Sequence, residues 1–139
     1  MKMNRIQLLG LTLLSVTLVA CGSDSPLAPS DPGPELIPTF SSIQTVVFNQ
    51  RCTNHHGALA QGDLDLRSPQ SFNNLVGAPS TQTMLMRVAP GDAESSYMIH
   101  KLEGRAGIAG DRMPQNGPFL TTAEVDVIKT WINDGAMNN

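Results

Sequence analysis

From residue 40 onward the helix signals are short and the intervals between them are long. This proportion limits the fold more than any other feature of the chain. Phe40, Ile43 and Val47 recur at helical spacing, Val46 and Phe48 widen the stripe, and Ser41-Ser42-Ile43-Gln44 has the form of a capping box. A first helix is predicted over about 42–51, delivering Cys52 at its end. Ser68 before Pro69 is a helix-start signal for a second helix whose face is Phe72, Leu75 and Val76 and which stops at Gly77. Pro90-Gly91 turns the chain into Asp92, predicted to cap a third helix with Met98, Ile99 and Leu102 inward and Gly104 at its close. Thr121-Thr122-Ala123-Glu124 is a capping box opening a fourth, with Val125, Ile128 and Ile132 on one side, Trp131 beside them and Gly135 at the end. Nothing alternates with period two, so the expected class is all-α.

The connecting loops, 53–67, 78–91 and 105–120, are long for their helices. Loops of that length in a compact domain usually serve a function or wrap something. All six aromatics, Phe40, Phe48, Phe72, Tyr97, Phe119 and Trp131, fall after position 39, which confines the core to one small domain. Four short helices enclose little interior, and such a domain is expected to pack around a non-protein body.

The first 39 residues read differently. Met1 to Arg5 is basic and Ile6 to Ala20 is apolar but shorter than the ~20 residues a bilayer-crossing helix needs, which is the pattern of a signal peptide over 1–20. Its ending, Leu18-Val19-Ala20-Cys21, resembles a bacterial lipobox; the resemblance implies cleavage before Cys21 and lipid on its thiol and new amino group. The alternative is an ordinary signal peptide with a coincidental cysteine. Several acyl chains make membrane attachment stable, so the mature chain is expected on a membrane facing the periplasm, and Gly22 after the lipid cysteine favours the outer membrane. Residues 21–39 then form a lipid-anchored tether: Pro26, Pro29, Pro32, Pro34 and Pro38 lie among Ser, Asp and Gly, too polar to offset their ordering entropy. At ~3.1 Å per residue this tether reaches roughly 55 Å. Without Lys2 and Arg5, seven bases face twelve acids, a balance that excludes nucleic acid as a partner, because phosphate binding needs clustered Lys and Arg.

The chemistry concentrates in Cys52-Thr53-Asn54-His55-His56-Gly57. A c-type haem is held by C-x-x-C-H, two thiols adding to the porphyrin vinyl groups and the histidine placing its imidazole on the iron. Here His55 stands in the place of the second cysteine, so one thiol and the ligand histidine are present. Around this string lie Phe48 four residues earlier, Gly62-Asp63-Leu64-Asp65-Leu66, Val88-Ala89-Pro90-Gly91-Asp92, Ser96-Tyr97-Met98-Ile99-His100-Lys101-Leu102, Arg112-Met113-Pro114 and Trp131-Ile132-Asn133-Asp134-Gly135-Ala136. At these residues 40–139 resemble the small mono-haem class I cytochrome c domains of bacterial envelopes, with CxxHH in place of CxxCH.

That resemblance implies a cytochrome c-like fold of about four short helices with loops wrapped around a haem. A helix leads into the haem motif, a Met-Pro loop supplies the second axial ligand, and an aromatic of the C-terminal helix packs on the first helix. Carried over, Cys52 forms a single thioether to haem c, His56 is the proximal iron ligand and Met113 the distal one. With both axial positions filled the expected role is that of an electron carrier meeting redox partner proteins, not an enzyme.

Other readings stay open at this level. Met113 could be a core methionine; Met84, Met86 and Met98 are rivals for the iron. Adjacent residues on a helical turn point about 100° apart, so His55 and His56 are not expected on one face of the same iron. His55 is then a polar substitution at the haem edge. His100, Lys101 and Glu103 fall on the outward side of their helix, and Arg112 is a candidate partner for a haem propionate. One thioether suffices thermodynamically, since burying the macrocycle is worth on the order of 10 kcal/mol before ordering costs. Two further hypotheses remain: a degenerate relative that lost haem and acts as a structural or binding lipoprotein, and a copper site of Cys52, His55, His56 and Met113.

Overall fold

Phe40 opens the first helix because the residue before it is extended: Thr39 has φ −127° and ψ 149°, and its side chain accepts the amide of Ser42. The computed structural model describes residues 34–139, within one unit, Pro32–Asn139. The expected signal peptide, the lipid cysteine Cys21 and the tether to residue 33 lie outside the described residues. Among the described residues no helix is long and apolar enough to cross a membrane.

The first helix, α1, is Phe40–Ile43 and runs on into a π-helical segment, Gln44–Cys52. Its cap is Thr39 and not the predicted Ser41 box, and Gln44 does not reach back to close one. The Gln44 amide is buried instead: it donates to the Leu66 carbonyl at 2.9 Å and to Asn49 at 2.7 Å, and accepts from the Ser71 hydroxyl. A buried amide must find such partners, and this one ties the first helix to the segments that follow. The far end of the chain also reaches α1, since the Asn139 side chain and carbonyl accept the amides of Phe40 and Ser41 at 3.0 and 2.9 Å. Just upstream, Leu36 packs on the core, and Ser42 Oγ accepts from the Ile37 amide and donates to the Glu35 carbonyl.

Two other helices are shorter than predicted. Residues 68–70 are a turn, and α2 is Ser71–Leu75, ending before Gly77, whose φ of +68° suits glycine. The third helix, α3, is Tyr97–Glu103, opening at Ser96 and not at Asp92. Asp92 caps only a turn, accepting the Ser95 amide at 3.0 Å, because Ser96 is extended at φ −88° and ψ 116° and its hydroxyl donates to the Asp92 carbonyl at 2.8 Å. Its C-terminus is as predicted, with Gly104 left-handed at φ 72° and ψ 41°.

The fourth, α4, Thr122–Asn133, carries both arms of the expected capping box: Glu124 N to Thr121 Oγ1 at 3.2 Å and Thr121 N to Glu124 Oε2 at 2.7 Å. Val125, Ile128, Trp131 and Ile132 are its buried face. Trp131 meets Phe40 with ring centroids 5.7 Å apart, and Phe40 also stacks edge-on to Phe72 at 5.0 Å. The described residues are all-α, with no strand beyond isolated bridges such as Val76 to Val88. The core unites Ile43, Val47 and Phe48 with Leu75, Val88, Ile99, Leu102 and the α4 face.

Candidate functional site: an apolar cleft at the Cys52–His56 turn

The π-helical segment ends on the residue that the sequence singled out. The Thr53 amide bonds the Phe48 carbonyl at 3.0 Å, an i to i+5 link that widens the last turn, and the Cys52 carbonyl then accepts both His55 N at 3.1 Å and His56 N at 2.8 Å. Gly57 completes this turn because nothing larger fits: a Cβ there would stand 2.3 Å from the Thr53 carbonyl oxygen. His56 is fixed at its ring as well. Its Nδ1 lies 2.8 Å from the Gln61 carbonyl; a carbonyl only accepts, so Nδ1 carries the proton and Nε2 keeps its lone pair. Burial, with the Gln61 bond opposing it and His55 and Lys101 assisting, lowers the His56 pKa, which keeps the ring neutral and able to bind a metal.

Cys52 is half-buried, its Sγ 3.7 Å from the Val47 carbonyl. Burial pushes its thiol up to about 12, with Arg51 acting the other way, so at neutral pH the sulfur is protonated. A protonated, apolar-lodged sulfur suits a neutral thioether better than a thiolate metal ligand.

Met113 arrives from the opposite end of the sequence through α3. The Lys101 carbonyl accepts its amide at 2.9 Å, Lys101 Nζ donates to the carbonyls of Ala109 and Asp111 at 2.6 Å each, and the Tyr97 hydroxyl accepts the Ala109 amide at 3.0 Å. The same hydroxyl donates to Gln82 at 3.1 Å, so Tyr97 joins the loop of Met113 to the loop of residues 78–91.

Together these segments enclose a cleft of about 310 Å³. Cys52, His56 and Met113 all line it, among the apolar walls Val47, Phe48, Leu64, Leu66, Leu75 and Leu102. Met98 lines it too and stays a rival donor, whereas Met84 is fully exposed, Met86 is 47 % exposed, and neither touches the cleft. His55 also faces the cleft wall, and it continues into a small neighbouring hollow with Asn54, Pro114 and Gly117.

Two expectations change, those for Lys101 and Arg112. Lys101 is not on the outward side with His100: it follows Tyr97 by four residues and Met98 by three, shares their helical face and reaches the cleft. His100 is half-buried and bonds the Glu94 carbonyl through Nε2 at 2.7 Å. Arg112, the propionate candidate, lies 4.2 Å over the Phe119 ring, donates to the Leu102 carbonyl and does not line the cleft, while Arg51, Arg87 and Lys101 do. Sequence reasoning missed Tyr97 and Arg87 as site residues. The helical spacing of Tyr97 to Lys101 was a usable signal; for Arg87 there was none.

The donors suit a ligand that brings its own equatorial coordination. Among the described residues no three His, Cys, Asp or Glu side chains converge, so the copper arrangement of Cys52, His55 and His56 has no geometric support. A macrocycle asks only for a fixed imidazole nitrogen, an adjacent thiol, a thioether and apolar walls, and the cleft offers all four. No family model, curated protein or solved structure matches the chain.

Proposed function

We propose that residues 40–139 form a cytochrome c-like domain that holds one haem c through a single thioether to Cys52, with His56 and Met113 as axial ligands. One observation carries this reading: Met113, distant in sequence, lines the same apolar cleft as Cys52 and His56, and the imidazole has its proton held on the nitrogen that does not bind iron. Bound haem supplies a one-electron iron couple, and a Met/His pair sets that couple high. The chain's own residues orient and exclude: Gln61 holds the His56 ring, Gly57 lets the turn close, α3 suspends the Met113 loop, and the leucine walls keep water from the metal. The packing of Trp131 on Phe40 is what the cytochrome resemblance leads one to expect of the first and last helices.

The domain is then an electron carrier serving redox partner proteins, not an enzyme. Lipid on Cys21 would attach it to the bacterial envelope, facing the periplasm, at the outer membrane. The test is an alkaline pyridine haemochrome spectrum with a denaturing-gel haem stain, on mature chain exported together with haem-maturation proteins. A stained band with an α-band between the b-type and two-thioether positions supports single-thioether haem. Folded protein without haem would instead favour the structural or binding lipoprotein.

A further inference from the structure

Two cations line the cleft without a carboxylate partner. Among the described residues, Arg51 pairs with Glu124, Arg67 with Asp65, and Arg105 and Lys129 share Glu94 and Glu103. Arg87 and Lys101 are held by carbonyls alone. Arg87 donates to Asn74 O and Asp63 O at 2.9 Å each and to Gly62 O at 3.4 Å, while Lys101 donates to Ala109 O and Asp111 O. Carbonyl dipoles orient a cation but leave its net charge in place. The one acid on the lining, Asp111, acts on Lys101 only through space: it makes no ion pair within 4 Å, and its carboxylate accepts from Gln115 at 3.0 Å.

This arrangement runs against the charge of the chain as a whole, which is formally −3. Acids are in surplus, yet neither of the two cations on the cleft has a carboxylate within 4 Å, and both are half-buried. Unpaired charge beside apolar walls is costly unless an anion joins it. Each cation also retains donor capacity: a guanidinium has five N–H groups and an ammonium three, more than the carbonyls here occupy.

We propose that Arg87 and Lys101 are the carboxylate seats of the cleft, which thus takes an apolar planar ligand bearing two acidic groups. The inference rests on the haem reading, in which the two haem propionates are those groups. It assigns to Arg87 and Lys101 the role that the sequence suggested for Arg112.

The experiment titrates haem-free mature chain with hemin and with hemin dimethyl ester, whose carboxylates are masked, following the Soret band. Wild type is expected to bind hemin about a hundredfold more tightly than the ester, at about tenfold for each charge-assisted contact. Arg87→Gln should weaken hemin binding about tenfold and leave ester binding unchanged; Lys101→Gln, which also loosens the Met113 loop, should weaken both but lower the hemin-to-ester ratio about tenfold, and Arg112→Gln should leave that ratio as in wild type. Equal affinity of wild type for hemin and ester overturns the proposal and leaves the haem reading standing. It needs no variant, so a substitution that fails to fold cannot obscure it. A wild type that takes up neither porphyrin overturns both.

Discussion

The two sides of the cleft are built in opposite ways. The turn of Cys52 and His56 is held by its own neighbourhood: the Cys52 carbonyl, the Gln61 carbonyl and the absent side chain of Gly57 all lie within ten residues. The loop of Met113 has bonds of its own, Gln115 to Asp111 and Gly117 to Pro114, but Met113 itself is held from α3, by the Tyr97 hydroxyl, the Lys101 ammonium and the Lys101 carbonyl. The first pair of donors is thus placed within its own turn, and the Met113 loop by a separate helix eight to twelve residues upstream. Perturbing the first should destroy the site, whereas perturbing the second should retune it.

The largest expected effect is from His56→Ala, which should abolish the low-spin haem spectrum of the matured protein; an unchanged spectrum would move the proximal ligand elsewhere. Gly57→Ala should follow, since the added methyl meets backbone and the turn must open. Overpacking of this kind costs about 1–3 kcal/mol, to be read as a lower denaturant midpoint together with reduced haem incorporation. A Gly57→Ala chain matured like wild type would show that the turn is not rigid.

On the other side, Met113→Ala should keep the haem but open a coordination position and lower the midpoint potential. An unaltered potential would transfer the distal role, with Met98 the next donor on the cleft. Tyr97→Phe removes one hydroxyl that serves two loops and should cost about 1 kcal/mol, with the His56 side of the spectrum unaffected. Were it to abolish haem uptake, the contrast between a local and a suspended side would collapse.

The smallest effect concerns the link between the cleft and α4. Arg51, next to Cys52, pairs with Glu124 at 2.9 Å. Burial raises the Glu124 pKa, but the Thr121 amide and hydroxyl and Arg51 more than offset this, and the net direction is downward from 4.5. A depressed carboxylate contributes stability above its unfolded value that is lost as pH falls through the folded one. The difference in melting temperature between wild type and Glu124→Gln should therefore be present at pH 7 and shrink below pH 4.5. A difference independent of pH would assign the effect to packing.

Legibility in the sequence followed the same division. Thr121 and Glu124 are three residues apart and satisfy each other, and Gly104 ends α3 through its own φ, so these boundaries were readable. The N-caps of α1 and α3 were not, because Gln44 is drawn to Leu66, far along the chain, and Ser96 is extended, so the helix starts after it and not at Asp92. Cys52 and His56 were visible as a string, and Met113 through its neighbour Pro114. Arg87 was invisible because the carbonyls that orient it come from residues 62, 63 and 74, which no spacing rule connects to it.

By itself the sequence determined the helical class, the Thr121–Glu124 box that opens α4, the Gly104 that closes α3, and the thiol and imidazole offered together after the first helix. Those depend on interactions within a turn or two, where residue identity settles the energy. Tertiary structure decided that Lys101 turns to the cleft and Arg112 to Phe119, that Met84 and Met86 stay outside, and that Met113 joins Cys52 and His56. Such choices depend on which distant surfaces exclude water together, and a one-dimensional pattern does not contain that distance.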